Sequence, residues 1–254
     1  MGDLYMRSYS KYSLRDPSMT RTIRGMYERK LAGLFIAFRA KVKEFMESVS
    51  YLAAPSESTR ISFPDLNDTI LYFIEHEITI PAEPIISSMV NESLKAGKKR
   101  AGAFLRAVGV SASLGEIIVN PRVYEIIRGR NLAALKGITD DMSKKISSEL
   151  SEGILKGEDM RRLSKRITES TNIPIERARV MARTETMYAF NTAANEEYKA
   201  YGVGKVEWVA ALDERMCETC GKYHGKIYPI DEAPDAPAHP NCRCVKIPYI
   251  EEVA

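Results

Sequence analysis

The chain has 254 residues, 44% hydrophobic and 28% charged, the composition of a globular protein long enough for two packed units. No apolar run approaches the roughly 20 residues needed to span a bilayer, which excludes a membrane protein, and the start Met1-Gly2-Asp3-Leu4 leads into no signal-peptide stretch, so folding in the cytosol is expected. With 37 basic and 34 acidic residues the net charge is +3, too near balance to argue nucleic-acid binding from totals.

Residues 1–20 show neither a helical nor a strand period and are expected to form an extended arm. From Ile23 to Val49 apolar residues recur at three- and four-residue steps, the pattern of one long amphipathic helix that Pro55 ends. A second helix is expected from Leu66 to Ile78, bracketed by Pro64 and Pro81. A third starts near Pro84 and runs past Leu105, although Gly97 and Gly102 each weaken it by about 1 kcal/mol against Ala. Asn120-Pro121 opens a short helix ending near Gly137. Thr139, with Asp140 and Asp141 behind it, reads as the cap of a new helix closed by Gly157. Met160, Leu163 and Ile167 suggest a return helix and so an αα-hairpin.

Pro174 opens a long helix whose small-residue face, Ala178, Ala182, Ala189 and Ala193, lets another backbone come close. After Gly202 and Gly204 the stretch Lys205–Leu212 alternates like a strand, with shorter strands expected at about 226–230 and 244–250. The fold class expected is α+β and mostly helical. An arm (1–20) precedes a long-helix N-terminal region (21–119), and a smaller α+β domain (120–254) follows, with a short sheet and a Cys-rich tail from 213.

All four cysteines fall between Cys217 and Cys244 and so serve one local site. Cys217-Glu218-Thr219-Cys220 presents two thiols from one turn, and His239-Pro240-Asn241-Cys242-Arg243-Cys244 supplies a second group, a pattern that suits a tetrahedral structural zinc. Cys217, Cys220, Cys242 and Cys244 are the candidate ligands, with His239 as the substitute; disulfides and free thiols are the alternatives. A tail with few large apolar residues needs such a staple. Catalytic zinc is not expected: no histidine begins His-Glu-x-x-His or is followed two places on by Glu, and no phosphate-binding or nucleophile-elbow motif is present.

Arg183-Thr184-Glu185, Ala189, Asn191, Gly202, Trp208, Asp213, Arg215, the Cys217/Cys220 pair, Gly225 and His239-Pro240-x-Cys242-Arg243-Cys244 stand in that order in the C-terminal half. In this ordered set, over about 132–250, the chain resembles the Mu F-like minor head proteins of tailed phages, also called phage head morphogenesis proteins. The resemblance implies a non-enzymatic virion protein of a phage or provirus. Such a protein joins the portal during head assembly, meets portal protein, major capsid or scaffolding protein and packaged DNA, and influences DNA packaging or ejection.

Among the quoted residues, Arg183 and Glu185 read as a fixed ion pair, Trp208 as core, and Asp213 with Arg215 as organisers of the Cys turn. The basic run Lys95, Lys98, Lys99, Arg100 and Arg106, with Arg21, Arg24, Arg29 and Lys30, reads as a solvated face or a salt-sensitive DNA contact. Two other classes remain: a virion-delivered effector enzyme of nuclease or ADP-ribosyltransferase type, for which the helical half offers only His76, and a zinc-ribbon-like nucleic-acid module.

Overall fold

The structure is a computed structural model that describes residues 16–52, 63–112 and 117–250. It is mostly helical, with a small three-stranded antiparallel sheet near the C-terminal end. The helices are α1 (Arg21–Leu52), α2 (Phe63–Ile74), α3 (Ile80–Ala107), α4 (Pro121–Leu155), α5 (Met160–Ser170), α6 (Asn172–Ala200) and the short α7 (Glu218–Tyr223). The strands β1 (Lys205–Val209), β2 (Ile227–Pro229) and β3 (Val245–Tyr249) lie in the order β2-β1-β3, with Val206 opposite Tyr228 and Glu207 opposite Ile247. Among the described residues no helix is long and apolar enough to cross a membrane.

Two compact units emerge, each assembled from separated stretches of chain. Of the described residues, one takes 16–26, 87–112, 117–128 and 182–250; the other takes 27–52, 63–86 and 129–181. The divisions fall inside α1, α3, α4 and α6.

The residues before α1 cap it. Asp16 accepts from the Arg21 amide (3.0 Å) and pairs with Arg24 (3.0 Å), while buried Thr20 donates its hydroxyl to the Met187 sulfur (3.3 Å). Residues 1–15 of the expected arm, and Pro55, lie outside the described residues.

Two expected helix breaks are absent. Pro81 stands inside continuous helix, because Glu75–Thr79 form a π-helical turn in which the Ile80 amide reaches back five residues to the Glu75 carbonyl. The wider turn relieves the clash that a proline ring imposes on an α-helix. The break expected between Gly137 and Thr139 is likewise missing, since α4 runs unbroken from Pro121 to Leu155. Thr139 turns its hydroxyl back to the Lys136 carbonyl (3.0 Å) instead of capping, and Asp140 pairs with Lys136 (2.7 Å). The true start of α4 is capped by Asn120, whose side chain accepts from the Arg122 amide (3.0 Å).

In the unit of Tyr27–Ile86 and Gly129–Met181, Leu31, Phe35, Phe38 and Val42 of α1 are fully buried, as are Ile70 and Ile78, with Met142, Ile146 and Leu150 from α4. The α4–α5 hairpin is clamped by Arg166, which pairs with Glu149 (2.6 Å) and Glu158 (2.7 Å); Asp159 caps α5 by accepting from the Arg162 amide (2.9 Å).

In the other unit α3 and α6 approach closely at Gly97. A Cβ there would fall 2.2 Å from the Phe190 carbonyl oxygen and 3.0 Å from the Ala193 Cβ. The core between them includes Leu105, Phe190, Tyr198, Val206 and Ile247. Helix α6 stops at Gly202, which takes φ +73° and lets the Val203 amide bond back to the Tyr198 carbonyl (3.0 Å). Side chains of α6 also meet the backbone of β3 and of the residue before it. Asn191 donates to the Cys244 carbonyl (3.1 Å) and accepts from the Lys246 amide (3.3 Å), and the Tyr198 hydroxyl donates to the Lys246 carbonyl (3.2 Å).

Candidate metal centre

The site begins with a helix start. Cys217 is the N-cap of α7, extended at φ −83° and ψ 162°, and its sulfur accepts from the Cys220 amide (3.4 Å). One helical turn therefore places Cys217 and Cys220 on the same side. The facing half is the turn His239–Cys242, closed by the Cys242 amide donating to the His239 carbonyl (3.1 Å). That turn needs a left-handed residue, and Asn241 supplies it at φ +63°. The Asn241 amide in turn donates to the Thr184 hydroxyl on α6 (3.0 Å).

All five candidate ligands come together. Cys217, Cys220 and His239 form one triad and Cys220, Cys242 and Cys244 another, the ligand atoms of each lying within 4.8 Å of one another. His239 Nε2 lies 3.2 Å from the Cys217 sulfur and 3.1 Å from that of Cys220, and Cys220 and Cys242 are 3.7 Å apart, sulfur to sulfur. All four thiols are free, and only Cys217 is more than slightly exposed. With Zn–S near 2.3 Å, sulfurs on a tetrahedral ion sit about 3.8 Å apart, so the Cys220–Cys242 spacing suits a shared ion. His239 Nδ1 faces the Pro240 carbonyl at 2.8 Å. A carbonyl only accepts, so Nδ1 carries the proton and Nε2 turns its lone pair to the sulfurs, the arrangement that orients metal-binding imidazoles. The donor set fits a structural zinc.

The electrostatics favour sulfur anions at two positions. The Cys244 thiol donates to Cys242, and with backbone amides it brings the Cys242 thiol down to about 5 despite burial. The Cys220 amide lowers Cys217. Burial pushes Cys220 up to about 12, and Cys244 is raised because it acts as the donor to Cys242. Burial opposes the charged form of His239, but the Pro240 carbonyl and the sulfurs of Cys242 and Cys217 outweigh it and raise its pKa.

Trp208 is fully buried against this cluster, in an apolar group with Ala210, Cys220, Ala236, Cys242 and Cys244; its ring lies 5.1 Å from that of Tyr223. Asp213, almost buried, receives both terminal nitrogens of Arg243 (2.5 and 2.7 Å) and the Arg215 amide (3.0 Å). The Arg243 guanidinium holds the Asp213 carboxyl far below the usual carboxylate range. The loop entering Cys217 is thereby tied to the segment carrying Cys242 and Cys244, while the Arg215 side chain stays exposed. Glu185 is buried and Arg183 half-buried on α6.

Sequence reasoning did not single out Arg243 as the partner of Asp213, or Thr184 as the anchor of the His239–Cys242 turn. Each pair is far apart in the chain, and only the placement of each partner beside a cysteine, histidine or arginine of the motif hinted at a role. Of the basic run, Lys98 pairs with Glu197 (3.6 Å) and Arg100 lies over the Phe104 ring (4.4 Å), while Arg24 is buried on Asp16. These three are engaged within the protein.

Comparison with known proteins places a family on this geometry. Residues 144–247 match the family described as phage Mu protein F like protein, so this segment is a Mu F-like domain, of a family of phage head morphogenesis proteins. An uncharacterized protein of Haemophilus influenzae is 26% identical over 125 residues, 48% of this chain and 28% of the relative, so the chain spans little more than a quarter of that protein's length. No solved structure matches the chain.

Proposed function

We propose that this chain is a minor head protein of a tailed phage or provirus, a structural component rather than an enzyme, that joins the portal vertex during head assembly and influences DNA packaging or ejection. Its partners are portal protein, major capsid or scaffolding protein and, through non-specific contacts, packaged DNA; its place is the virion head. The Mu F-like segment at 144–247 carries this reading.

Within that role the Cys/His cluster is a structural zinc site. Cys217, Cys220, His239 and Cys242 hold the ion, and Cys244 flanks it. The approach of His239 Nε2 to two of the sulfurs supports that set. A bound ion contributes folding free energy directly to a segment with little apolar core of its own.

Tagged chain recovered from particle-producing cells is expected to bring portal and capsid proteins, with about one zinc per chain, as a single four-ligand site requires. Recovery of a host target without portal overturns the assembly reading, and absence of zinc overturns the metal reading. Cys220→Ser, which removes the sulfur common to both triads, should abolish zinc; Cys244→Ala should retain it.

A further inference from the structure

We propose that the unit of Tyr27–Ile86 and Gly129–Met181 carries both halves of a head-to-tail contact between copies of this chain: the acidic, apolar outer face of α2 and early α3 seats in the basic groove between α1 and α5 of the next copy. The proposal does not depend on the metal site.

From Arg60 to Lys95 the chain has no intervening Lys or Arg, while Asp65, Asp68, Glu75, Glu77 and Glu83 fall in that stretch. The exposed residues Asp68, Leu71, Tyr72, Glu75, His76 and Ile80 recur at helical spacing and so share one face. Leu71, Tyr72 and Ile80 are 39%, 57% and 54% exposed. Tyr72 is stacked on His76, ring centroids 3.8 Å apart, which fixes it before any partner arrives. Single exposed apolar residues are ordinary, but three on one face among carboxylates form a patch.

The groove has a volume of about 880 Å³. Ile36, Ala40 and Met160 give it apolar lining, and Arg39, Lys43, Arg161 and Lys165 give it four cations. Its two carboxylates, Glu47 and Glu169, lie 3.8 Å from Lys43 and 3.9 Å from Lys165 in exposed pairs that hold little energy and exchange partners readily. At 1.5 Å per residue the α1 wall from Ile36 to Glu47 is about 16 Å long, and the face from Asp68 to Ile80, shortened by its π-helical turn, is no longer than about 18 Å. Charge, apolar content and length are complementary. The apolar lining and the two carboxylates disfavour a nucleic-acid backbone in the same place. None of the residues of the acidic face lines the groove, so one copy can present both surfaces, and such a contact repeats into a ring or a filament.

Sedimentation velocity of the full chain from about 1 to about 200 µM, a range suited to contacts of modest area, tests this. The wild type should self-associate, less so as salt rises and screens the charges. Tyr72→Lys/Glu75→Lys, which breaks the face, and Arg161→Glu/Lys165→Glu, which breaks the groove, should each be monomeric with an unchanged melting curve. Mixed in equal amounts they should form a one-to-one dimer and nothing larger, since one intact face then meets one intact groove. A wild type that stays monomeric over the whole range overturns the proposal, as do variants that assemble like the wild type or a mixture of folded variants that stays monomeric. Binding of a short DNA duplex, lost in the groove variant, without self-association would give the groove to nucleic acid and overturn it equally.

Discussion

Gly97 and Gly102 stand on the same helix, and replacing each with Ala should move stability in opposite directions. At Gly97 the added methyl would lie 2.2 Å from the Phe190 carbonyl oxygen, whereas a carbon normally comes no nearer to such an oxygen than about 3.3 Å. The obstacle is backbone and cannot rotate away, so α3 and α6 must part by about 1 Å, and the upper end of the overpacking range, about 3 kcal/mol, applies. Alanine's better helix propensity returns about 1 kcal/mol. The net loss is about 2 kcal/mol, a fall in Tm of about 4–8 °C for a chain of this size. At Gly102 the methyl meets only the Arg106 Nη1 at 3.4 Å, so the propensity gain stands nearly alone and Tm should rise by about 2–4 °C. Ala193→Gly should not rescue Gly97→Ala, because the Phe190 carbonyl remains. Urea and thermal unfolding of the four chains measure this, and a Gly97→Ala protein as stable as the wild type would refute the close helix contact.

Asp213→Asn leaves the Arg243 guanidinium, 13% exposed, without its carboxylate and should cost about 3 kcal/mol in thermal unfolding; Asp213→Asn/Arg243→Gln should recover part of that loss, and a double variant no better than the single one speaks against direct pairing. Asn241→Val forces a β-branched residue to φ +63° and should destabilise by about 1–3 kcal/mol, while Asn241→Gly should be nearly neutral; equal losses would show that the turn relaxes. Glu149 is held low by Lys145 and Arg166, and Glu158 by Arg166. Groups with depressed pKa stabilise above their unfolded value, near 4.3, and lose that contribution as pH falls through the folded one. Melting temperature should therefore be insensitive to these groups from pH 7 to 5 and drop below about pH 4, and Arg166→Met should flatten that acid limb. An unchanged acid limb in the variant would assign the drop to other carboxylates.

The helices and the Cys/His cluster were legible because their signals are local. Ile23–Val49 shows its period in a single window, and Cys217 with Cys220 can hardly avoid each other across one turn. The misread places share a cause: a stop signal and a helix interior can use the same residues. Thr139-Asp140 reads as a cap, yet here the hydroxyl bonds back to Lys136 and the carboxylate pairs along the helix. Pro81 reads as a terminator, yet a π-helical turn absorbs it. What joins distant stretches left no local trace. Arg243 on Asp213, Asn241 on Thr184 and the interleaving of segments within each compact unit depend on which surfaces meet, and one-dimensional periodicity carries no such information. Only the small-residue face of α6 hinted at a partner, and Gly97 is where that partner arrives.

Asn191 and Tyr198 have a consequence for how copies of this chain can associate. β3 is an edge strand, and the outward amide and carbonyls of such a strand are a ready template for another strand to pair with. Here the Cys244 carbonyl, the Lys246 amide and the Lys246 carbonyl already have side-chain partners from α6. An incoming strand would have to take the Lys246 amide from Asn191 and share carbonyls that Asn191 and Tyr198 already engage. Backbone pairing, the route to cross-β aggregates, is hindered along that flank.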